Sequence, residues 1–358
     1  MAMSEYYVDP SIAANSGTGT IGDPYGDLQY AIDSITKNAT DGERINIKSG
    51  AEEVFSAAID WATGMGAPWG GAPTLLQGYD SAAGDGGICE IDMGGNAFTQ
   101  ASAHVKDAKI RNMTACGGQY ADYENVWLSD CTGLATAFRC MFQNCVFSDF
   151  TGTDCINVTT DGFLGGCYFE FAAGEVPSDS AIKSSNGRIQ NCIVNASADV
   201  VGIEIAGTSL IENCSLLQTA ATATSDGILF KYGGSSQRAY GCIVEGFDNG
   251  FNYNSQTSPF YSGYNAAYDN VTDYSETELA TIRGNEALSS SAFAKSGTIT
   301  LSDFVSDNAG FWASVAAYFE PQDTGNVFGN FGFNALTKGA VPRPAGTTTY
   351  SLHPLAYN

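Results

Sequence analysis

Short apolar and polar alternations recur along the middle of the chain. The units CINV, AIKS, GIEI, GILF and GFNY place Ile156, Ile182, Ile203, Ile228 and Phe251 at the same step. Alternation over so few residues predicts a short strand with one face buried. Asn157, Lys183, Glu204, Leu229 and Asn252 then face outward. Two further strands precede each unit, as in RIQNCIVNASADVVGIEIAG (Arg188–Gly207) and LIENCSLLQTAATATSDGILF (Leu210–Phe230), one ending at an Asn and the next starting at a Cys. The Cys position is filled at Cys131, Cys145, Cys167, Cys192, Cys214 and Cys242, with Met113 one repeat earlier. Before it stand Asn112, Asp130, Asn144, Gly166, Asn191, Asn213 and Gly241, residue types that tolerate a left-handed backbone. That column is therefore a turn.

Units this short cannot close a core alone and must stack, which predicts a solenoid whose equivalent residues form columns about 4.8 Å apart. In that stack Asn144, Asn191 and Asn213 turn the chain and pass side-chain amide bonds from coil to coil. Cys145, Cys167, Cys192, Cys214 and Cys242 fill the inside corner just after the turn. The fold class expected is all-β.

The order of GI-x-Φ and Φ-x-N-x-Φ over about 109–253 resembles right-handed parallel β-helix proteins of the pectate-lyase-like superfamily. The opening YYVDPSIAANSGTGTIGDPYGDLQYAIDSI resembles the start of many such proteins, a strand and Gly-rich loop followed by a capping helix, here with Leu28, Ala31, Ile32 and Ile35 on one face. TLLQGYDSAAGDGGICEID and FGFNALTKGAV are similar to β-helix proteins of bacteriophages and environmental bacteria. The resemblance implies an N-terminal strand and cap over 1–50, irregular first coils over 51–108, a regular β-helix over 109–260, and a C-terminal cap and tail over 261–358. Within the last, the segment from about Ser275 to Ala294 is expected to be loop plus a short helix, and LSDFVSDNAGFWASVAAYF a second helix.

The formal charge is −24, with 15 Lys and Arg against 39 Asp and Glu, which argues against a nucleic-acid partner. No run approaches the roughly 18 apolar residues that would span a bilayer. MAMSEYYVDP leads straight into the first strand without a visible leader. Ten cysteines without a CxxC, most of them in one column, predict reduced buried thiols. With only His104 and His353, neither beside a Cys pair, no metal and no cofactor is expected. The Asp-Gly steps at Asp85 and Asp226 are expected to be turns.

For an enzyme the candidate carboxylates are Asp149, Asp154, Asp161 and Glu204, with Glu170 nearby, because glycoside cleavage needs two acids about 5 to 9.5 Å apart across a groove. The outward row offers one acid and one base rather than paired acids, and Arg188 and Arg238 read as solvent-facing strand residues. The stretch FDNGFNYNSQTSPFYSGYNAAYDNVTDY sets Phe247, Phe251, Tyr253, Tyr261, Tyr264 and Tyr268 among amides and carboxylates. It is the expected ligand or partner surface, with Tyr350 and Tyr357 of the C-terminal tail. The leading expectation is a non-enzymatic phage virion protein, a capsid decoration or a tail or fibre appendage, partnered by other virion proteins or by its own copies. The alternatives are a tailspike-like protein that binds or depolymerises host surface glycan, as lyase or glycoside hydrolase, and an exported bacterial surface protein at the cell surface.

Overall fold

The computed structural model describes residues 3–36, 41–60, 74–99, 103–117, 121–132, 134–137, 139–220, 225–231, 237–254, 261–263, 265–275, 285–320, 331–332 and 343–344. The chain forms two compact units, Met1–Ala287 and Leu288–Asn358.

The first unit is a parallel β-helix. Among the described residues its named strands pair in parallel, from Ser4–Val8 on Glu43–Lys48 to Ala266–Tyr268 on Glu286–Ala287, so the stack extends beyond the stretch that carries the repeat in sequence. The Gly-Ile strands form a seven-stranded sheet in which Ile156, Ile182, Ile203, Ile228 and Phe251 are in register, as alternation predicts. The other two strand series join in a 21-stranded sheet. One interior column runs through Glu53, Ile91, Ile110, Leu128, Phe147, Phe169, Val194, Leu216, Val244 and Ala267. Each coil thus contributes a side chain directly above its predecessor, and rings in register stack face to face. Phe147 and Phe169 lie 4.4 Å apart and Phe230 and Tyr253 4.3 Å apart.

The first turn of each coil is held by Asp107, Asn125, Asn144, Gly166, Asn191, Asn213 and Gly241, with φ between 51° and 65°. The residue after it begins the next strand, giving a column of Cys89, Ala108, Val126, Cys145, Cys167, Cys192, Cys214 and Cys242. The described cysteines of this column are free and buried. Two positions expected in this column lie in another. Asn112–Met113 and Asp130–Cys131 belong to the second turn, where Thr132 N donates to Met113 O and Thr151 N to Cys131 O. Cys131 therefore stacks between Met113 and Phe150. Both turns use an Asn or Asp at positive φ followed by a buried residue, so one local signature serves two corners.

The expected amide ladder is corrected as well. At Asn144, Asn191 and Asn213 the coils are joined by backbone bonds, Asn191 N to Glu212 O at 3.0 Å and Asn213 N to Tyr240 O at 2.9 Å, while Asn191 Oδ1 has no partner. Side-chain amides bridge coils at other rungs of the same column. Asn125 Nδ2 donates to Asp107 Oδ1 at 2.5 Å. Below Cys242 the column itself turns to Asn265 and Asn285, whose Oδ1 atoms accept from Cys242 N at 2.9 Å and Asn265 N at 3.1 Å.

Helix α1, Leu28–Ser34, is N-capped by Asp27, which accepts from Tyr30 N, and it buries Leu28, Ala31 and Ile32. Ile35, at its C-cap, is buried too, so the predicted apolar face holds. Asp85 makes its turn by accepting from the backbone of Asp80, Ser81, Ala82 and Gly87, but Asp226 opens the strand Asp226–Phe230 and is no turn. Of the stretch expected to hold loop and a short helix, residues 276–284 lie outside the described residues; among the described ones Glu286–Ala287 is a strand of the first unit and Leu288 to Ala294 contain no helix. The second expected helix is present as α2, Asp303–Ser306, and α3, Asn308–Tyr318, packed through Phe304, Phe311 and Trp312. No helix of the described residues is long and apolar enough to cross a membrane.

Candidate functional site

The outward row of the Gly-Ile sheet is Asn157, Lys183, Glu204, Leu229 and Asn252, as alternation predicts. Lys183 Nζ stands 3.5 Å from Asp154, 3.7 Å from Asp179 and 3.5 Å from Glu204. Lys231 Nζ is 2.7 Å from the other oxygen of Glu204, whose side chain is 1% exposed. Burial works against the charge on Lys183, but the carboxylates, Glu204 foremost, outweigh it and raise its pKa. The network is thus a buried acid clamped by two ammonium groups, with Asp154 and Asp179 at its rim. A few residues on, Asp226 Oδ1 accepts from Asn249 and Asn252 of the next coil, both at 2.9 Å. Burial raises its pKa against those two bonds.

A second cluster lies near the other turn. Trp127 Nε1 donates to Ser148 Oγ, which donates to Asp149 Oδ2, both at 2.9 Å. One coil on, the fully buried Tyr168 donates its hydroxyl to Glu170 Oε2, and Asn195 Nδ2 donates to the same oxygen at 2.8 Å. Burial pushes the Glu170 carboxyl up, against the pull of those bonds, and the charge of Asp149 adds to the rise. A hydrogen bond with Asp149, and then its charge, raise Glu175. Among the described residues no group of three or more His, Cys, Asp or Glu side chains is placed to hold a metal ion.

The four candidate acids are therefore not brought together. Asp154 and Glu204 share Lys183, Asp149 belongs with Glu170 and Glu175, and Asp161, at a turn with φ 59°, pairs with Arg139 at 3.1 Å. Arg188 faces solvent, with its side chain 41% exposed, and pairs there with Glu212 at 2.8 Å. Sequence reasoning missed Lys231, Asp179, Tyr168 and Asn195. The ladder offsets would have found Asn195, because Glu170 and Asn195 each stand three residues after a column cysteine.

The proposed aromatic surface is corrected. Phe247, Phe251 and Tyr253 are 0% exposed and line the core, since Phe251 and Tyr253 continue the inward positions of Ile228 and Phe230. Tyr268 is half-buried in its strand, where it pairs with Glu245. Tyr261 lies in the strand Tyr261–Gly263, and Tyr264, Tyr350 and Tyr357 fall outside the described residues.

No family model and no curated protein sequence matches the chain. Among solved structures it is similar to ORF18 of Geobacillus virus E2, at 11% identity and TM-score 0.46 over 74% of this chain and 56% of that one. It is also similar to pectate lyase Pel9A, at 13% identity and TM-score 0.47 over 75% of this chain and 70% of that one. A third is the GH136 lacto-N-biosidase of Eubacterium ramulus, at 9% identity and TM-score 0.46 over 74% and 64%. The chain thus spans little more than half the length of the phage protein and less than two thirds of the lacto-N-biosidase. Likeness at this level concerns the fold, which the strand register independently establishes as a parallel β-helix.

Proposed function

We propose that the chain is a non-enzymatic structural protein of a phage particle, a capsid decoration or a tail or fibre appendage, made in the host cytoplasm and carried on the virion. The observation that supports this most is the engagement of the acids on the Gly-Ile face. Asp154 and Glu204 share Lys183, and Glu204 is also held by Lys231 with almost no access to solvent. A carboxylate buried and paired as Glu204 is acts as a strut across coils and lacks the open face that acid–base chemistry requires. The resemblance of TLLQGYDSAAGDGGICEID and FGFNALTKGAV to β-helix proteins of bacteriophages and environmental bacteria supports the same reading, and the strong negative charge suits a soluble particle surface. The proposed partners are other virion proteins or further copies of the chain, reached through the tail over 341–358. Peptide mass spectrometry and immunogold labelling of purified particles test this. Detection at fixed stoichiometry is expected, and absence from particles would overturn it.

A glycan-cleaving reading has one observation in its favour, the raised Glu170 carboxyl oriented by Tyr168 and Asn195 beside Asp149. It requires that the purified chain shorten host polysaccharide and that Glu170→Gln abolish this. The structural reading expects no shortening by either.

A further inference from the structure

The interior column of the β-helix is apolar from Ile91 to Ala267, but its first member is Glu53. The strand Glu52–Val54 alternates around it. Glu52 faces outward and bonds Arg111 through both oxygens, at 2.6 and 2.8 Å, while Val54 is 65% exposed. Glu53 turns inward and is 5% exposed. There it meets α1, whose first residue, Leu28, donates its backbone N–H to the carboxyl. The other charge facing it is the N-cap carboxylate of Asp27, itself engaged with Tyr30 N at 2.6 Å and Asn15 N at 2.7 Å. Arg111 and Asp92 lie on the opposite face of the strand with Glu52.

We propose that Glu53 is a proton-operated latch for the N-terminal cap: α1 seals the first coil while the Glu53 carboxyl holds its proton and loosens when that proton passes to solvent. The neutral carboxyl keeps a carbonyl oxygen for the Leu28 N–H and sits in the apolar column at little cost. The carboxylate keeps that bond, but it is a charge in the core beside a second carboxylate. Burial pushes the group up to about 7, the Leu28 bond pulls it down and Asp27 pushes it up again, so the change falls near neutrality. Opening the cap bares the strand Glu52–Val54, which among the described residues has a strand partner on one side only, whereas the second edge of Ser4–Val8 stays bonded to Gly19 and Tyr25.

The test is hydrogen exchange of the intact chain at pH 5.5 and 8.5, with rates divided by the intrinsic rate at each pH. The reporters are the amides of Ala31 and Ile35, which bond Asp27 O and Ala31 O. Their protection is expected to fall about tenfold or more at the higher pH, relative to stack amides such as that of Ile193. Glu53→Gln is expected to hold protection equal at both values. Asp27→Asn, which keeps the cap but removes the charge, is expected to move the transition of the parent chain to lower pH. Equal protection of the parent at both pH values, or a Glu53→Gln chain that follows the parent, would overturn the proposal. Carbon-13 titration of the Glu53 carboxyl in the parent chain gives a reading that needs no variant, and a midpoint in the ordinary glutamate range would also overturn it.

Discussion

At the scale of single residues, the turn column is governed by backbone conformation more than by side-chain bonding. Asn213 sits at φ 55° and Gly241, one coil on, at φ 64°. A Cβ on Gly241 would lie 2.6 Å from Asn213 Oδ1. Gly241→Ala therefore incurs both left-handed strain and a collision, and is expected to lower stability by about 1–3 kcal/mol. Asn213→Leu is expected to cost a similar amount, because leucine tolerates positive φ poorly, whereas Asn213→Gly should cost under about 1 kcal/mol. Denaturant midpoints at constant slope measure all three. If Asn213→Gly proved as damaging as Asn213→Leu, side-chain bonding rather than backbone conformation would be holding the turn. The sequence identified this column because only Asn, Asp and Gly meet its φ economically. It could not distinguish the first turn from the second, since Asp130–Cys131 and Asn144–Cys145 satisfy the same local demand at different corners.

At the scale of elements, the Gly-Ile strands were readable because alternation and a fixed offset from each Ile set both face and register. Lys183 and Glu204 each follow their Ile directly, so their adjacency follows from the sequence. Lys231 does not, since it stands three residues after Ile228 and reaches back diagonally to Glu204. The aromatic stretch is hard to read for a related reason. Polar neighbours such as Asn249 and Asn252 suggested a wet surface, yet they bond Asp226 on the outer face while Phe251 and Tyr253 alternate inward. The buried Glu204 makes the three-residue network a test of what such a clamp contributes. Lys231→Met leaves Glu204 buried with Lys183 alone and is expected to cost about 1–3 kcal/mol. Adding Glu204→Leu to Lys231→Met should recover most of that loss, because the uncompensated charge is gone. A double variant as unstable as the sum of its single changes would show that the pair stabilises the face beyond its own desolvation.

At the scale of the whole molecule, the buried carboxyls set an unusual direction for the dependence of stability on pH. Burial raises Asp107, Asp122, Glu170 and Asp226 above their ordinary values, and Glu53 up to about 7. For each, the folded chain holds a proton that the unfolded chain releases. The stability is therefore full below the unfolded value near 4 and declines as pH climbs through the folded one. Asp9 and Asp92 run the other way. Burial opposes their charge, but bonds from Lys48 and Ser11, and from Asn112 and Gly94, hold them low, and four backbone donors hold Asp85 low. Their contribution is present above about 4 and is lost as pH falls below it. Repulsion within a chain of net charge −24 eases as acids are protonated, which reinforces the first group. The two sets together place the stability maximum on the acid side, at about pH 4 to 5. Calorimetric melting between pH 3 and 8 should show Tm falling by at least about 2 °C from pH 5 to 7.5. In Glu53→Gln the part of that fall nearest pH 7 should flatten while the earlier part remains, because the other four carboxyls are untouched. A Tm that rises steadily from pH 5 to 8 would mean that paired carboxylates, not buried neutral ones, dominate the proton balance of folding.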